Sequence, residues 1–441
     1  NKLNVYDGSD WAAVGAGGGT IELVASGTLA NGQTVIIQSD GTVKAVSGES
    51  QSVGSAAVYE SANVSGYLAA TFDSTNGKVV IAYMDGGNSN HGTAVVGTVS
   101  GTSISFGTPV VFAAAQTEYI SATFDSTNGK VVITYNDDGN FGSGTAIVGT
   151  VSGTSISFGS EAVFNSGQSV STSTFDSTNG KVIIVFRDGV NSNYGTAVVG
   201  TISGTSISYG SEAVFESARI DHASAAFDSS NGKVVIAYRD YGNSNYGTAV
   251  VGTVSGTSIS FGTPVVFNSG GNTVYTSTIF DSTNNKIVIA YRDGGNSNYG
   301  AAIVGTVSGT SISFGSAVVF ESATSNYISA AYDSNAGKVL IAYQDNDNSQ
   351  YGTFIVGTVS GTSISFDSPV VYESANASPN AAVFDSSNNK VAISYADAGN
   401  SNYGTSIVVQ IANTNLTSTN FLGFSDAAYS DGATATIQVA G

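Results

Sequence analysis

The chain has 441 residues with no Cys, one Met, one Trp and 55 Gly against 4 Pro, which excludes a disulfide-stapled module and a cysteine-ligated metal site. With 41% apolar and 10% charged residues it is too apolar for a disordered chain and too evenly interrupted by Gly and Ser for a membrane span. Thirteen Lys and Arg against 32 Asp and Glu give a net charge of -19, so neither nucleic-acid phosphates nor anionic lipid surfaces are expected partners.

No signal peptide or transmembrane run opens the chain, and it begins at Asn1 rather than Met, as expected of a product processed or cut from a longer one. Residues 1–50 and 413–441 read as two halves of one small β domain, a barrel or sandwich base. Thr20 to Val24 and Thr34 to Ile37 are strands separated by Gly-bearing turns, and Phe421 to Phe424 and Ala433 to Val439 add strands from the other end.

Residues 51–412 are built from repeats. Phe-Asp-Ser recurs at Phe72, Phe124, Phe175, Phe227, Phe280 and Phe384, with Tyr332 in one copy, at spacings of 51 to 53 residues. Within one unit, Tyr119 to Phe124 alternates, Ser-Thr-Asn-Gly supplies a hairpin turn, and Lys130 to Tyr135 is a continuous apolar run. Gly144 to Val151 and Ser155 to Phe164 are the third and fourth strands. A strand such as Val79 to Tyr83 is apolar on both faces, so neighbouring units must cover it. Four short antiparallel strands per unit predict an all-β fold, a seven-bladed β-propeller. Ser52 to Ala62 matches the fourth-strand segment Ser208 to Ala218 but has no unit before it, and the seventh unit runs from Ile411 into Asn413-Thr414-Asn415-Leu416 without a Ser-Ile-Ser-Phe strand. The N-terminal strand is therefore expected to complete the seventh blade and cover its edge.

The blade pattern, with its Asp-Ser-x-Asn-Gly turn, Tyr-x-Asp strand end and Val-Ser-Gly-Thr-Ser turn, resembles the sialidase-like, Asp-box class of propellers over residues 52 to 411. At the box itself the chain carries Ser100-Gly101-Thr102-Ser103-Ile104-Ser105-Phe106, without the Asp or Trp of that family, so the resemblance implies the fold and not the catalysis. The flanks, SGTLANGQTVIIQSDGTVKAV and NFLGFSDAAYSDGATATIQVAG, resemble structural proteins of marine tailed phages, and Val5 to Trp11 resembles segments of phage fibre proteins. That resemblance implies a propeller inserted in a virion-anchoring base.

Loops after the first and third strands are nearly copied from unit to unit, whereas those between the fourth and next first strands vary. Asn63-Val64-Ser65-Gly66-Tyr67, Arg219-Ile220-Asp221-His222 and Thr324-Ser325-Asn326-Tyr327 are examples. Specificity carried on variable loops over a rigid scaffold places a binding site on the diversified face. There, Arg187, Arg239 and Arg292 occupy equivalent positions in consecutive units and Arg219 lies in a loop beside them. They form a cationic arc suited to carboxylates, unless each pairs with its chain neighbour Asp188, Asp240 or Asp293. Tyr194, Tyr246, Tyr299, Tyr351 and Tyr403, with His91 at the matching position, put rings in the loops after the second strands, for stacking on sugar or for packing. Asp345 and Asp347 are the most calcium-like donors, although the spacing lacks a terminal bidentate Glu, and no cofactor is expected. Asp73 and Lys78, with six equivalents, read as cross-strand partners on the uniform face, and His222 as a solvated loop residue.

The sequence reading is a non-enzymatic virion appendage or decoration protein, extracellular on the virion surface. It presents a host-surface glycan or receptor site, contacts other virion structural proteins, and forms a homo-oligomer through its base, without nucleic acid or membrane insertion. A bacterial adhesin or lectin and a sialidase-like glycan-cleaving enzyme are its rivals.

Overall fold

In the computed structural model, which describes residues 4–6, 11–13, 20–38, 40–46, 48–414 and 421–439, every side chain from Val79 to Tyr83 is fully buried. Successive strand residues point to opposite faces, so both faces of this sheet are covered. Removing a Val or Ile side chain of this strand from water contributes roughly 1.5–3 kcal/mol. Strands and four single-turn 3-10 helices are the regular elements among the described residues; the fold is all-β. The chain divides into two compact units, residues 52–410 and residues 1–51 with 411–441.

In the larger unit the antiparallel ladders are numbered as sheets 1 to 7 by their second strands: Lys78–Asp85, Lys130–Asp137, Lys181–Asp188, Lys233–Asp240, Lys286–Asp293, Lys338–Asp345 and Lys390–Asp397. In sheet 2, Lys130–Asp137 pairs with the inner half of Val110–Asp125 on one side and with Ser143–Ser152 on the other. Ser155–Phe158 and the start of Ala162–Asp176 share the far edge of Ser143–Ser152. The fourth strand is thus split, and its second piece continues unbroken as the first strand of sheet 3. Asp125 closes the first turn by accepting from the backbone N–H groups of Thr127 (2.9 Å) and Asn128 (3.0 Å) and from Asn128 Nδ2 (2.7 Å).

Sheet 7 is completed from the other end of the unit. Val53 and Ser52 pair with Val409 and Gln410, and Ala57 pairs with Ser406, the places held in sheet 1 by Phe106, Ser105 and Val110. A Cβ on Gly54 would lie 1.7 Å from the carbonyl oxygen of Thr102, and one on Gly107 would lie 1.8 Å from that of Thr154. The fourth strand of every sheet but the sixth therefore meets the Ser-Gly-Thr-Ser turn of the next at bare backbone. Asp367 stands at the equivalent position of sheet 6, because the chain beyond Gln410 carries no such turn for it to meet.

Neighbouring sheets share cores. Val80 and Ala82 pack with Val131, Ile133 and Tyr135, and sheet 7 packs on sheet 1 through Ala392, Ala396 and Val408 against Val79, Ile81 and Tyr83. Inner strands are also tied directly: Ser277 Oγ accepts from the N–H of Ala330, and Ser329 Oγ from that of Ala382, each at 2.9 Å. A cavity of about 360 Å³ is lined by the first strands of all seven sheets.

The smaller unit holds a five-stranded antiparallel sheet in the order Thr20–Val24, Thr434–Val439, Phe421–Ser425, Thr34–Ile37, Val43–Ala45. Leu23, Leu29, Val35, Val43, Leu422 and Ile437 form its core. Gly48–Glu49 pairs with Asn413–Thr414. Residues 7–10 of the fibre-like opening segment lie outside the described residues.

Candidate functional site

The variable connections expected to be loops are, in most sheets, bulges within long strands. Register shifts fall between Glu118 and Ser121, Asp221 and Ser224, Val274 and Ser277, and Asn326 and Ser329. In each, an aromatic residue or histidine adopts a positive φ: Tyr119 (49°), His222 (50°), Tyr275 (52°) and Tyr327 (48°). Side chains of this size are rarely held in the left-handed region, and such backbone clusters where function over-determines it. Sheet 1 makes the turn with Gly66 at φ 96° and places Tyr67 beside it, and sheet 7 carries a cis Ser378-Pro379 bond there.

The variable second-strand position reaches across to the next sheet's bulge. Arg187 donates to Asp221, Arg239 Nη1 to Asn272 Oδ1 (3.0 Å), Arg292 to Asn326, and Gln344 Nε2 to Asn376 Oδ1 (2.6 Å). The expected pairing of each Arg with its adjacent Asp is therefore corrected. Adjacent strand residues point to opposite faces. Asp188 is turned to its own loop, where it accepts from Val190 N–H (3.1 Å) and Asn165 Nδ2 (2.9 Å), and Asp240 accepts from Asn243 N–H (3.1 Å).

Asp221 is the hub of the arginine cluster. Besides Arg187, it accepts from Arg219 Nη2 at 2.8 Å and Arg239 Nη2 at 3.0 Å. Burial alone would raise its pKa, but Arg187, Arg219, Tyr241 and Arg239 outweigh that and hold the carboxyl below the usual range. Three guanidinium groups around one carboxylate leave an excess of positive charge. Both Arg219 and Arg239 stack on Tyr241, at 4.5 and 4.6 Å from the ring centre. The Nε donors of Arg187, Arg239 and Arg292 are buried and have no partner among the described residues.

Arg292 joins this cluster through rings. It lies 5.0 Å from the centre of Tyr275, which contacts His222 at 5.3 Å and Tyr327 at 5.2 Å; Tyr67 and Tyr119 meet at 4.7 Å. All five are half-buried. His222 is therefore not the solvated residue expected: burial, then the Arg239 charge, pushes its pKa down to about 4, with Asp221 opposing.

The remaining candidates are elsewhere. Tyr194, Tyr246, Tyr299, Tyr351, Tyr403 and His91 are the first residues of third strands rather than loop tips, and none makes a ring contact with another aromatic side chain among the described residues. Only Tyr194 adjoins the cluster, opposite Arg219 in the ladder. Asp345 accepts from Asn348 N–H at 3.3 Å as a loop cap, Asp347 is exposed, and no group of three or more potential ligands for a metal occurs among the described residues. Asp73 and Lys78 are opposite in the ladder, but Lys78 Nζ donates to Thr98 Oγ1 at 2.9 Å while Asp73 closes its own turn, so the two side chains are separately engaged. Asp221, Tyr241, Tyr275 and Phe141, which is 95% exposed, were not singled out from sequence. The signal available was the run of rings five residues before Phe-Asp-Ser.

The chain matches no protein-family model and no curated protein sequence. Its structural neighbours are sialidase-like and lectin β-propellers. The BP39L lectin from Burkholderia pseudomallei matches at TM-score 0.58 and 10% identity over 81% of this chain and 99% of that chain. The intramolecular trans-sialidase from Ruminococcus gnavus matches at 0.47 and 9% over 80% and 96%, and the SapL1 lectin, in complex with alpha methyl fucoside, at 0.45 and 13% over 70% and 98%. The match to the BP39L lectin shows a shared fold, consistent with a β-propeller.

Proposed function

We propose that residues 52–410 form a seven-bladed propeller, its last blade completed by the N-terminal strand, that binds carbohydrate without cleaving it at the bulge-bearing face. The observation that carries this reading is the arc of half-buried rings, Tyr67, Tyr119, His222, Tyr275 and Tyr327, beside the arginine cluster around Asp221. Aromatic faces pack on sugar rings, and guanidinium donors take carboxylate or hydroxyl oxygens. The lectin neighbour supports the same reading at the level of fold. The Tyr-Glu pairs of the chain, such as Tyr83 with Glu60 and Tyr343 with Glu321, both 3.0 Å, recur between strands. Burial raises those tyrosines far above neutral pH, which favours binding over tyrosine-nucleophile catalysis. By the resemblance of its flanks, the smaller unit anchors the propeller to a virion surface among other structural proteins.

Glycan arrays followed by calorimetric titration test the reading. Tyr275→Ala with Tyr327→Ala is expected to weaken oligosaccharide binding at least about tenfold with folding intact; unchanged affinity overturns it. Ile36→Asp, at a position 5% exposed in the flanking sheet, is expected to abolish incorporation into particles, and normal incorporation would remove the anchoring role.

A further inference from the structure

Arg292 carries a charge that its structural role does not require. From sheet 5 it ties the second strand to the bulge of sheet 6 through Asn326, and in sheet 6 the neutral Gln344 makes the equivalent tie to Asn376 at 2.6 Å. An amide therefore suffices for the bridge. The charge also has no counter-ion: the ion pairs of arginine among the described residues all end on Asp221, and none involves Arg292. Its chain neighbour Asp293 accepts from Gly295 N–H and Asn268 Nδ2, each at 3.0 Å, in its own loop. Burial pushes the Arg292 pKa down, the ring of Tyr275 opposes that, and Arg239, a like charge, adds to the fall. A half-buried cation with no anion beside it is held at a cost that an anionic ligand would offset.

The donor such a ligand would meet is open. Arg292 Nη1 donates to Asn326 and its Nε is buried, which leaves Nη2, neither bonded nor buried among the described residues, beside the half-buried ring of Tyr275. Through Tyr275 and His222 this position adjoins the Asp221 hub, where the side chain of Arg219 is 48% exposed. All four arginines of the chain are gathered here and Asp221 is the one carboxylate they pair with, so the region is cationic on a protein of net charge -19. The other end of the ring arc has the opposite sign: burial, then Tyr119, Glu118 and Asp138, raises the pKa of the Tyr67 hydroxyl. An anion is therefore drawn to sheets 4 and 5 and away from sheets 1 and 2. We propose that Arg292 anchors the oxyanion, carboxylate or sulfate, of an acidic sugar whose ring lies on Tyr275, so that the glycan read by this face is anionic. Charge-assisted bonds of this kind are roughly twice as strong as neutral ones, which makes the charged substituent the main source of selectivity. The inference rests on the carbohydrate-binding reading and names its ligand class.

The test is an array of neutral, carboxylated and sulfated oligosaccharides on the same backbones, read with the full chain and with Arg292→Gln, followed by calorimetric titration of the best binder and its neutral counterpart. Free glucuronate and inorganic sulfate are titrated separately. The acidic member is expected to bind at least about tenfold more tightly than the neutral one, and the carboxylated and sulfated arms show which oxyanion is preferred. Arg292→Gln is expected to erase that difference, to leave the affinity for the neutral member unchanged, and to unfold at the same temperature, since Gln344 serves the bridge in sheet 6. Arg292→Met takes its place if the glutamine variant does not fold. Equal binding of neutral and acidic members, or an acidic preference that survives Arg292→Gln, overturns the anchor, and the lectin reading stands if Tyr275→Ala with Tyr327→Ala still weakens binding. Glucuronate or sulfate binding that Arg292→Gln removes, without any oligosaccharide binding, keeps the anion site and overturns the lectin reading; silence with every probe overturns both.

Discussion

Arg239 faces Asp221 directly across the ladder of sheet 4 and donates to it at 3.0 Å, while Arg187 reaches the same carboxylate from sheet 3. Side-chain exposures of 12–14% for these three residues, against 48% for Arg219, separate what each contributes. Asp221→Ala leaves two guanidinium groups desolvated and unpaired, and its expected cost is about 3–5 kcal/mol. Arg219→Ala is expected to cost no more than about 1 kcal/mol. Denaturant unfolding of the two variants decides it, and equal small losses would show that the hub does not hold the sheets together.

The gap between what the sequence disclosed and what the structure adds is visible at this hub. Repeats, two-sided apolar strands and the missing fourth strand of the last unit were legible because they depend on local pattern, and the pairing of Val53 with Val409 agrees with them. The partner of Arg187 was not legible, since Asp188 is adjacent in sequence and on the opposite side of the strand, whereas Asp221 lies in the next repeat. The aromatic arc was hidden because tyrosine and histidine at φ near 50° run against backbone preference, and the repeat pattern alone reads such a segment as a loop.

Close approach at Gly54 gives a second test. Gly54→Ala must displace the Thr102 carbonyl, and overpacking of this kind costs about 1–3 kcal/mol. Asp367→Gly, at the equivalent position in sheet 6, has no Ser-Gly-Thr-Ser turn opposite it among the described residues and is expected to cost at most about 1 kcal/mol, the conformational entropy of glycine. Thermal unfolding of the pair should separate them; an undisturbed Gly54→Ala protein would mean that the two backbones are not in contact.

Acid sensitivity should have two stages. His222 titrates near 4 in the folded chain against an ordinary value of 6.5, so between those values the unfolded chain holds more protons. Its contribution is complete above about 6.5 and is lost as pH falls toward 4. Asp221, held below 3.8, contributes above its ordinary value and loses that contribution only at lower pH. Stability measured against pH should therefore rise less steeply between 4 and 6.5 in His222→Gln than in the parent chain, while the acid limb persists. A slope unchanged in that variant would place the titrating group elsewhere.

On the uniform face the turn carboxylate should outweigh its lysine neighbour. Asp125→Ala strands two backbone N–H groups and an amide, at about 1–3 kcal/mol. Lys130→Met forfeits the 3.0 Å bond to Thr150, worth about 0.5–1.5 kcal/mol, and keeps its packing stem. A double-mutant cycle between Asp125 and Lys130 is expected to show coupling below about 0.5 kcal/mol, the value for independent sites, and stronger coupling would restore the ion pair.

Because sheet 7 draws Ser52 and Val53 onto Val409 and Gln410, its final strand is made first and used last. At about 5–20 residues per second, a nascent chain holds that strand unpaired through roughly 350 residues of further synthesis, a wait of some tens of seconds. Sheets 1 to 6 can be built in order as they emerge, but the edge of the third strand in sheet 7 has no partner until the two distant ends of residues 52–410 meet. The order of synthesis thus makes joining those ends the concluding act of folding, and every chain interrupted before Gln410 carries a strand with nowhere to go.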